Sequence, residues 1–133
     1  MPTLAVSVQT SFPTSEIFGI KLVNGKPTQA LVSFSNDEDS AVVVNFVGGS
    51  LWSTDDNAKI VRNLTTTSYG VEIPAGQKET IPFNFVTEMH PQDLRLNLVS
   101  VVSDSQNRFF TLEAFNGTVS VVEQEASIFD PEV

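Results

Sequence analysis

Along the chain, short runs of alternating apolar and polar residues are separated by clusters of turn formers. A period of two gives a strand one dry face and one wet face. The clearest case is residues 71–85, V-E-I-P-A-G-Q-K-E-T-I-P-F-N-F, which reads as strand, tight turn, strand. Pro74 presets the φ angle wanted at the second position of a turn, and Gly76 takes the positive φ at its exit. Beyond the turn, Ile81, Phe83 and Phe85 alternate with Thr80, Pro82 and Asn84. Pro82 cannot donate to a ladder, which predicts a sheet edge or a bulge at that strand.

The same scheme recurs from end to end. Residues 3–9 alternate Leu4, Val6 and Val8 with polar positions, and Pro13 breaks the pattern. Residues 17–23 place Phe18, Ile20 and Leu22 on one face, and Asn24-Gly25 follows as a strong tight-turn signal. Residues 29–35 turn Ala30, Val32 and Phe34 inward, and Asp37-Glu38-Asp39 sit in a charged turn. Residues 41–47 are too short and too rich in valine for a helix. Gly48-Gly49 then predicts a bulge or sharp bend before Leu51-Trp52 resumes the apolar face. Residues 59–67 and 69–73 are two short strands with a break near Ser68–Gly70. Leu94, Leu96 and Leu98 alternate in a strand that continues through Val102. Residues 103–107, S-D-S-Q-N, form a hairpin turn by composition. Residues 108–115 pair back, and 117–122 extend that line after a kink at Asn116-Gly117.

Eight or nine strands with turns at regular intervals predict an all-β fold, an antiparallel β-sandwich of about seven to nine strands. The proline and glycine interruptions favour open sheets with protected edges over a closed barrel. Residues 1–122 form one domain, and residues 123–133 form an acidic tail with little periodicity. The total of 133 residues suits a single core that needs no covalent staple. Ten phenylalanines are available to fill the space between two sheets.

Charge and cysteine content narrow the chemistry. Seven basic against sixteen acidic residues give a net charge of −9, which repels phosphate backbones and anionic membrane surfaces. The absence of cysteine removes disulfides, thiolate metal sites and thiol catalysis. No apolar run reaches the roughly 18–20 residues of a membrane span. The first ten residues lack the basic and apolar regions of a signal peptide.

No catalytic, cofactor or metal site is expected. The single histidine, His90, precedes Pro91 in a loop and reads as solvated. No nucleophile elbow, Walker loop or dinucleotide motif is present. Asp37-Glu38-Asp39 and Asp55-Asp56 lack the spacing that aims successive carboxylates at one calcium ion. Trp52 and Tyr69 could form a sugar-stacking platform, but covering the end of the core is the expected role of Trp52. Two sequons remain, Asn63-Leu64-Thr65 and Asn116-Gly117-Thr118. Roughly two are expected by chance, so only their placement at strand ends or kinks, where a glycan can reach solvent, is informative.

Several motifs in order carry a family resemblance. Gly25-Lys26-Pro27 precedes a strand ending in Phe34-Ser35-Asn36. Ile60-Val61-Arg62-Asn63-Leu64-Thr65 follows. Then come Ile73-Pro74-Ala75-Gly76-Gln77 and Phe83-Asn84-Phe85. The most specific is F-N-x-T-V-x-V-x-E, running from Phe115 to Glu123. Over residues 24–122 the sequence resembles the lumenal domain of the alpha subunit of the translocon-associated protein complex, particularly its shorter fungal relatives.

The resemblance implies an immunoglobulin-like sandwich in the endoplasmic reticulum lumen, part of a type I single-pass membrane protein that assists protein translocation without catalysis. The implied partners are the protein-conducting channel, companion subunits or nascent secretory chains. The implied glycan acceptors are Asn63 and Asn116, and no cofactor is implied. The family's membrane span, cytosolic tail and acidic N-terminal extension have no counterpart here, and the acidic tail is expected to lead towards the span. The rival reading is a secreted adhesion or carbohydrate-binding sandwich.

Overall fold

A computed structural model describes residues 4–13 and 19–124. The described residues contain nine strands and no helix, so none is long and apolar enough to cross a membrane. The strands are β1 (Val6–Ser11), β2 (Ile20–Val23), β3 (Thr28–Asn36), β4 (Val42–Trp52), β5 (Ile60–Asn63), β6 (Thr67–Ile73), β7 (Lys78–Phe85), β8 (Gln92–Ser103) and β9 (Phe109–Val122). They form two sheets, as the alternation predicts. The smaller has the order β1-β3-β7, and the larger has β2-β9-β8-β4-β5, with β6 also paired to β4. All pairs are antiparallel except β2 with β9. Ile17 and Phe18, at the start of the second predicted strand, and most of the predicted tail lie outside the described residues.

The core is where the two dry faces meet. Ala30, Val32 and Phe34 of β3, with Ile81, Phe83 and Phe85 of β7, face Val44, Val47 and Leu51 of β4 and Leu94, Leu96, Leu98 and Val102 of β8. All are buried. Phe12 closes one end, edge-on to Phe115 at a centroid distance of 5.0 Å. Pro82 lies on β7, which is an edge strand as its missing donor predicts. Its carbonyl accepts a hydrogen bond of 2.7 Å from Tyr69 Oη, spanning the open side between the sheets.

The tight turns do different work from what their composition suggests. Gly76 has φ +74°, and Gln77 N–H donates to the Pro74 carbonyl at 3.1 Å. Pro74 therefore occupies the first position of the turn, not the second. This turn joins β6 of the larger sheet to β7 of the smaller one. The Asn24-Gly25 turn is likewise a crossing between sheets, from β2 to β3. The loop between β4 and β5 joins paired neighbours, and the turn after Ser103 does close a hairpin between paired neighbours over the predicted residues. Its Asn107 has φ +60°, a conformation asparagine tolerates.

Breaks in the strands also move. β4 runs unbroken through Gly48-Gly49. There the glycines serve close packing: a Cβ on Gly49 would meet Leu98 Cδ2 at 2.7 Å and the Asn97 carbonyl oxygen at 2.8 Å. The bulge lies instead at Asn45, between Val44 and Phe46. The break after β5 falls at residues 64–66, and β6 passes through Ser68–Gly70. β9 is continuous across Asn116-Gly117, and its extra residue is Ala114, opposite the Leu98–Val99 step.

Three buried polar side chains fasten the corners. Asn36 is fully buried, and its Nδ2 donates to the carbonyls of Ser40, Ile73 and Pro74 at 3.0, 3.0 and 3.2 Å. Its Oδ1 accepts from Glu38 N–H, and its carbonyl accepts from Gly76 N–H. One side chain thus ties the end of β3 to the crossing between sheets. Asn24 does the same at the other end, bonding both the carbonyl and the amide of Met89. Asp104 accepts at Oδ1 from the amides of Gln106 and Arg108 and pairs through Oδ2 with Arg108 Nε at 2.7 Å. The Arg108 amide leads in holding this carboxyl below the ordinary aspartate range; burial opposes it, and the Arg108 guanidinium and Gln106 amide reinforce it.

Two predictions follow from these corners. Asn36→Ala orphans several buried backbone groups and should cost about 3 kcal/mol in urea unfolding, with an unchanged denaturant slope. A depressed carboxyl pKa stabilises the fold above the unfolded value, near pH 4, and that stability is lost as pH falls through the folded value. The urea midpoint of the native protein should therefore fall more steeply below about pH 4 than that of Asp104→Asn. Equal slopes would remove Asp104 from the acid response.

Candidate interaction surface

The bulge at Asn45 decides what the outer face of the larger sheet presents. Before it, Val42 and Val44 point inward; after it, Val47 and Leu51 do. One extra residue inverts the alternation, so Phe46 points out of the core and is 42% exposed. Two hydrogen bonds hold this geometry. Ser100 Oγ donates to the Phe46 carbonyl at 2.9 Å, and Asn45 Nδ2 donates to Ser103 Oγ at 3.1 Å. β6 follows the bend with Gly70 at φ +67°.

Phe46 borders a shallow depression of about 340 Å³ with Gly48, Ser50, Thr66, Val99 and Val101. Asn63 lines the same depression. A second depression, of about 270 Å³, lies further along the face and is lined by Trp52, Ala58, Arg95, Asn97 and Asn116. Both sequon asparagines therefore stand on the outer face, and both are exposed. They share one row across four strands, because Asn63 pairs with Ser50, Ser50 with Asn97, and Asn97 with Asn116. Three inter-strand spacings separate them by roughly 14 Å. Arg95 Nη1 donates to Asn116 Oδ1 at 3.1 Å, which fixes the rotation of that amide. The sequons are plain in the sequence; their alignment is not, because register across three strand pairs sets it.

Other candidates separate. Trp52 does not cover the end of the core; it is half-buried on the outer face, its Nε1 donating to Ser50 Oγ at 2.7 Å. Tyr69 packs against the core from the opposite face, and burial raises its phenol pKa. The two rings therefore do not form one platform. His90 is exposed, and its carbonyl accepts from Gln92 Nε2. In the 37–39 turn, Glu38 accepts from the Ala5 amide, and in the 55–56 loop Asp55 accepts from Ser53 Oγ. Among the described residues no three His, Cys, Asp or Glu side chains are grouped to hold a metal.

Strand order and the packing of the two sheets define an immunoglobulin-like β-sandwich. Solved structures agree on the fold. The C-terminal domain of wzt superposes with a TM-score of 0.61 at 12% identity, covering 94% of this chain and 78% of that one. The ASH/PapD-like domain 7 of human CEP192 gives 0.54 at 11% identity over 96% of this chain and 90% of that one. Within this class, the model of the translocon-associated protein (TRAP) alpha subunit family matches residues 10–133, and the chain belongs to that family. A relative from Dictyostelium discoideum, translocon-associated protein subunit alpha, is 27% identical over 128 residues. The match covers 95% of this chain and 53% of that protein, so the chain spans about half the relative's length.

The inverted alternation has a measurable signature. Phe46→Ser should cost less than about 1 kcal/mol despite the size of the residue, whereas Leu51→Ala should cost about 2–5 kcal/mol. The same urea titration compares them, and a larger loss at Phe46 would place that ring in the core.

Proposed function

We propose that this chain is a non-enzymatic interaction domain on the lumenal side of the endoplasmic reticulum, where it assists protein translocation. The observation that carries this reading is the family match across residues 10–133. In this reading residues 1–122 are the sandwich, and residues 123–133 lead towards a membrane span beyond this sequence. Asn63 and Asn116 accept N-linked glycans, and their exposure on a sheet face suits that role. The partners are the translocation channel, companion subunits or emerging secretory chains.

The physics of such binding lies in strand edges and apolar surface. An edge strand offers backbone donors and acceptors irrespective of its side chains, which suits a helper of diverse chains. β7 is a poor edge for this purpose, since Pro82 lacks a donor and Tyr69 occupies its carbonyl. β5 is the better one. All four of its residues are exposed, including Ile60 and Val61 at 50% and 41%.

The test is purification of the tagged full-length protein from membranes solubilised in mild detergent. Channel components are expected to co-purify, and Asn63→Gln and Asn116→Gln should each remove one glycan step in gel mobility. A correctly inserted, glycosylated protein that consistently purifies alone would overturn the reading.

A further inference from the structure

Each sequon asparagine shares a depression with an aromatic ring on the outer face of the larger sheet. Asn63 lines the depression that holds Phe46, and Asn116 lines the one that holds Trp52. Each depression combines apolar with polar side chains. Phe46, Val99 and Val101 supply the apolar part of the first, with the hydroxyls of Ser50 and Thr66 among its polar groups. Trp52 and Ala58 supply the apolar part of the second, with Arg95 and Asn97 as its polar groups. Gly48 leaves the first floor low, because a Cβ there would meet Thr66 Oγ1 at 2.8 Å.

We propose that these depressions seat the proximal sugars of the protein's own N-linked glycans, that of Asn63 on Phe46 and that of Asn116 on Trp52. The inference rests on the reading of both asparagines as glycan acceptors. A pyranose ring has C–H groups on its faces and hydroxyls around its rim, so a lining that joins an aromatic ring to hydrogen-bonding groups matches it. The volumes of about 340 and 270 Å³ lie near the lower end of small-molecule sites, enough for the first sugar or two. Attachment at the rim makes the contact intramolecular, so a weak surface complementarity suffices to populate it. At Asn116, Arg95 holds Oδ1 and leaves Nδ2, the atom of attachment, on the other side of the amide. Two glycans in one row also obstruct a protein partner approaching this face. Docking then falls to the smaller sheet and to the strand edges.

The test uses glycosylated protein with one sequon at a time. Thr118→Ala keeps the Asn63 glycan, and Thr65→Ala keeps the Asn116 glycan. Each is trimmed to a single N-acetylglucosamine, and Tm is compared before and after complete enzymatic removal. Removal should lower Tm by about 3 °C in the Thr118→Ala protein. Adding Phe46→Ser should abolish that drop, and adding Trp52→Ser should not; in the Thr65→Ala protein the roles should reverse. Independently of stability, the N-acetyl methyl protons should show upfield ring-current shifts that disappear with the matching aromatic.

Unmodified asparagines by intact mass would overturn both the acceptor reading and this one. Glycans present, with no shift and a Tm drop indifferent to the aromatics, would overturn this one alone. Dimerisation of the glycosylated protein that Phe46→Ser abolishes would assign the face to a second copy instead.

Discussion

One inserted residue governs the useful half of this molecule. Asn45 breaks the two-residue period of the central strand β4, and everything beyond it on that strand faces the other way. Val47 and Leu51 enter the core, and Phe46, Gly48, Ser50 and Trp52 reach the outer surface. The cost of interrupting the ladder is offset locally. Ser100, itself buried, donates to the Phe46 carbonyl, and Asn45 bonds Ser103. The distortion is shared by the neighbouring strand, where Gly70 takes a left-handed φ. A bulge that re-aims a side chain and is held by buried hydrogen bonds is a built feature of the sheet.

The two sheets are joined by crossings whose ends are held by polar side chains. Asn36 and Asn24 sit at opposite ends of the sandwich and satisfy backbone groups that no ladder reaches. This arrangement lets tight turns pass the chain between layers without leaving orphaned amides or carbonyls in the interior. The charge reinforces the division of labour. Carboxylates that bond locally, as Asp104 and Glu38 do, order the loops, while the inner faces remain apolar.

Membership of the translocon-associated protein alpha family gives this surface a context. Shallow outer depressions and short exposed edges are what this sandwich presents, with Asn63 and Asn116 in one row across the outer face.

Much of this was legible in the residues alone. Alternation in residues 29–35, 80–85 and 94–102 suffices for two packed layers, because burial of one face is a local property of each strand. Pro82 suffices to narrow its strand to an edge or a bulge, because a missing donor is a covalent fact. Beyond the hairpin of β8 with β9, which strands pair was not legible. The Asn24-Gly25 and Ala75-Gly76 turns have hairpin composition, yet both change sheets, because layer packing chooses the partner. Nor was the slip at Asn45 legible: V-V-V-N-F-V is apolar on both faces and carries no phase. Only the register of β4 against β6 and β8 decided that Phe46 faces out, and only the pairings of β5 with β4, β4 with β8 and β8 with β9 put two distant asparagines in a row, since register is a sum of pairings between segments far apart in the chain.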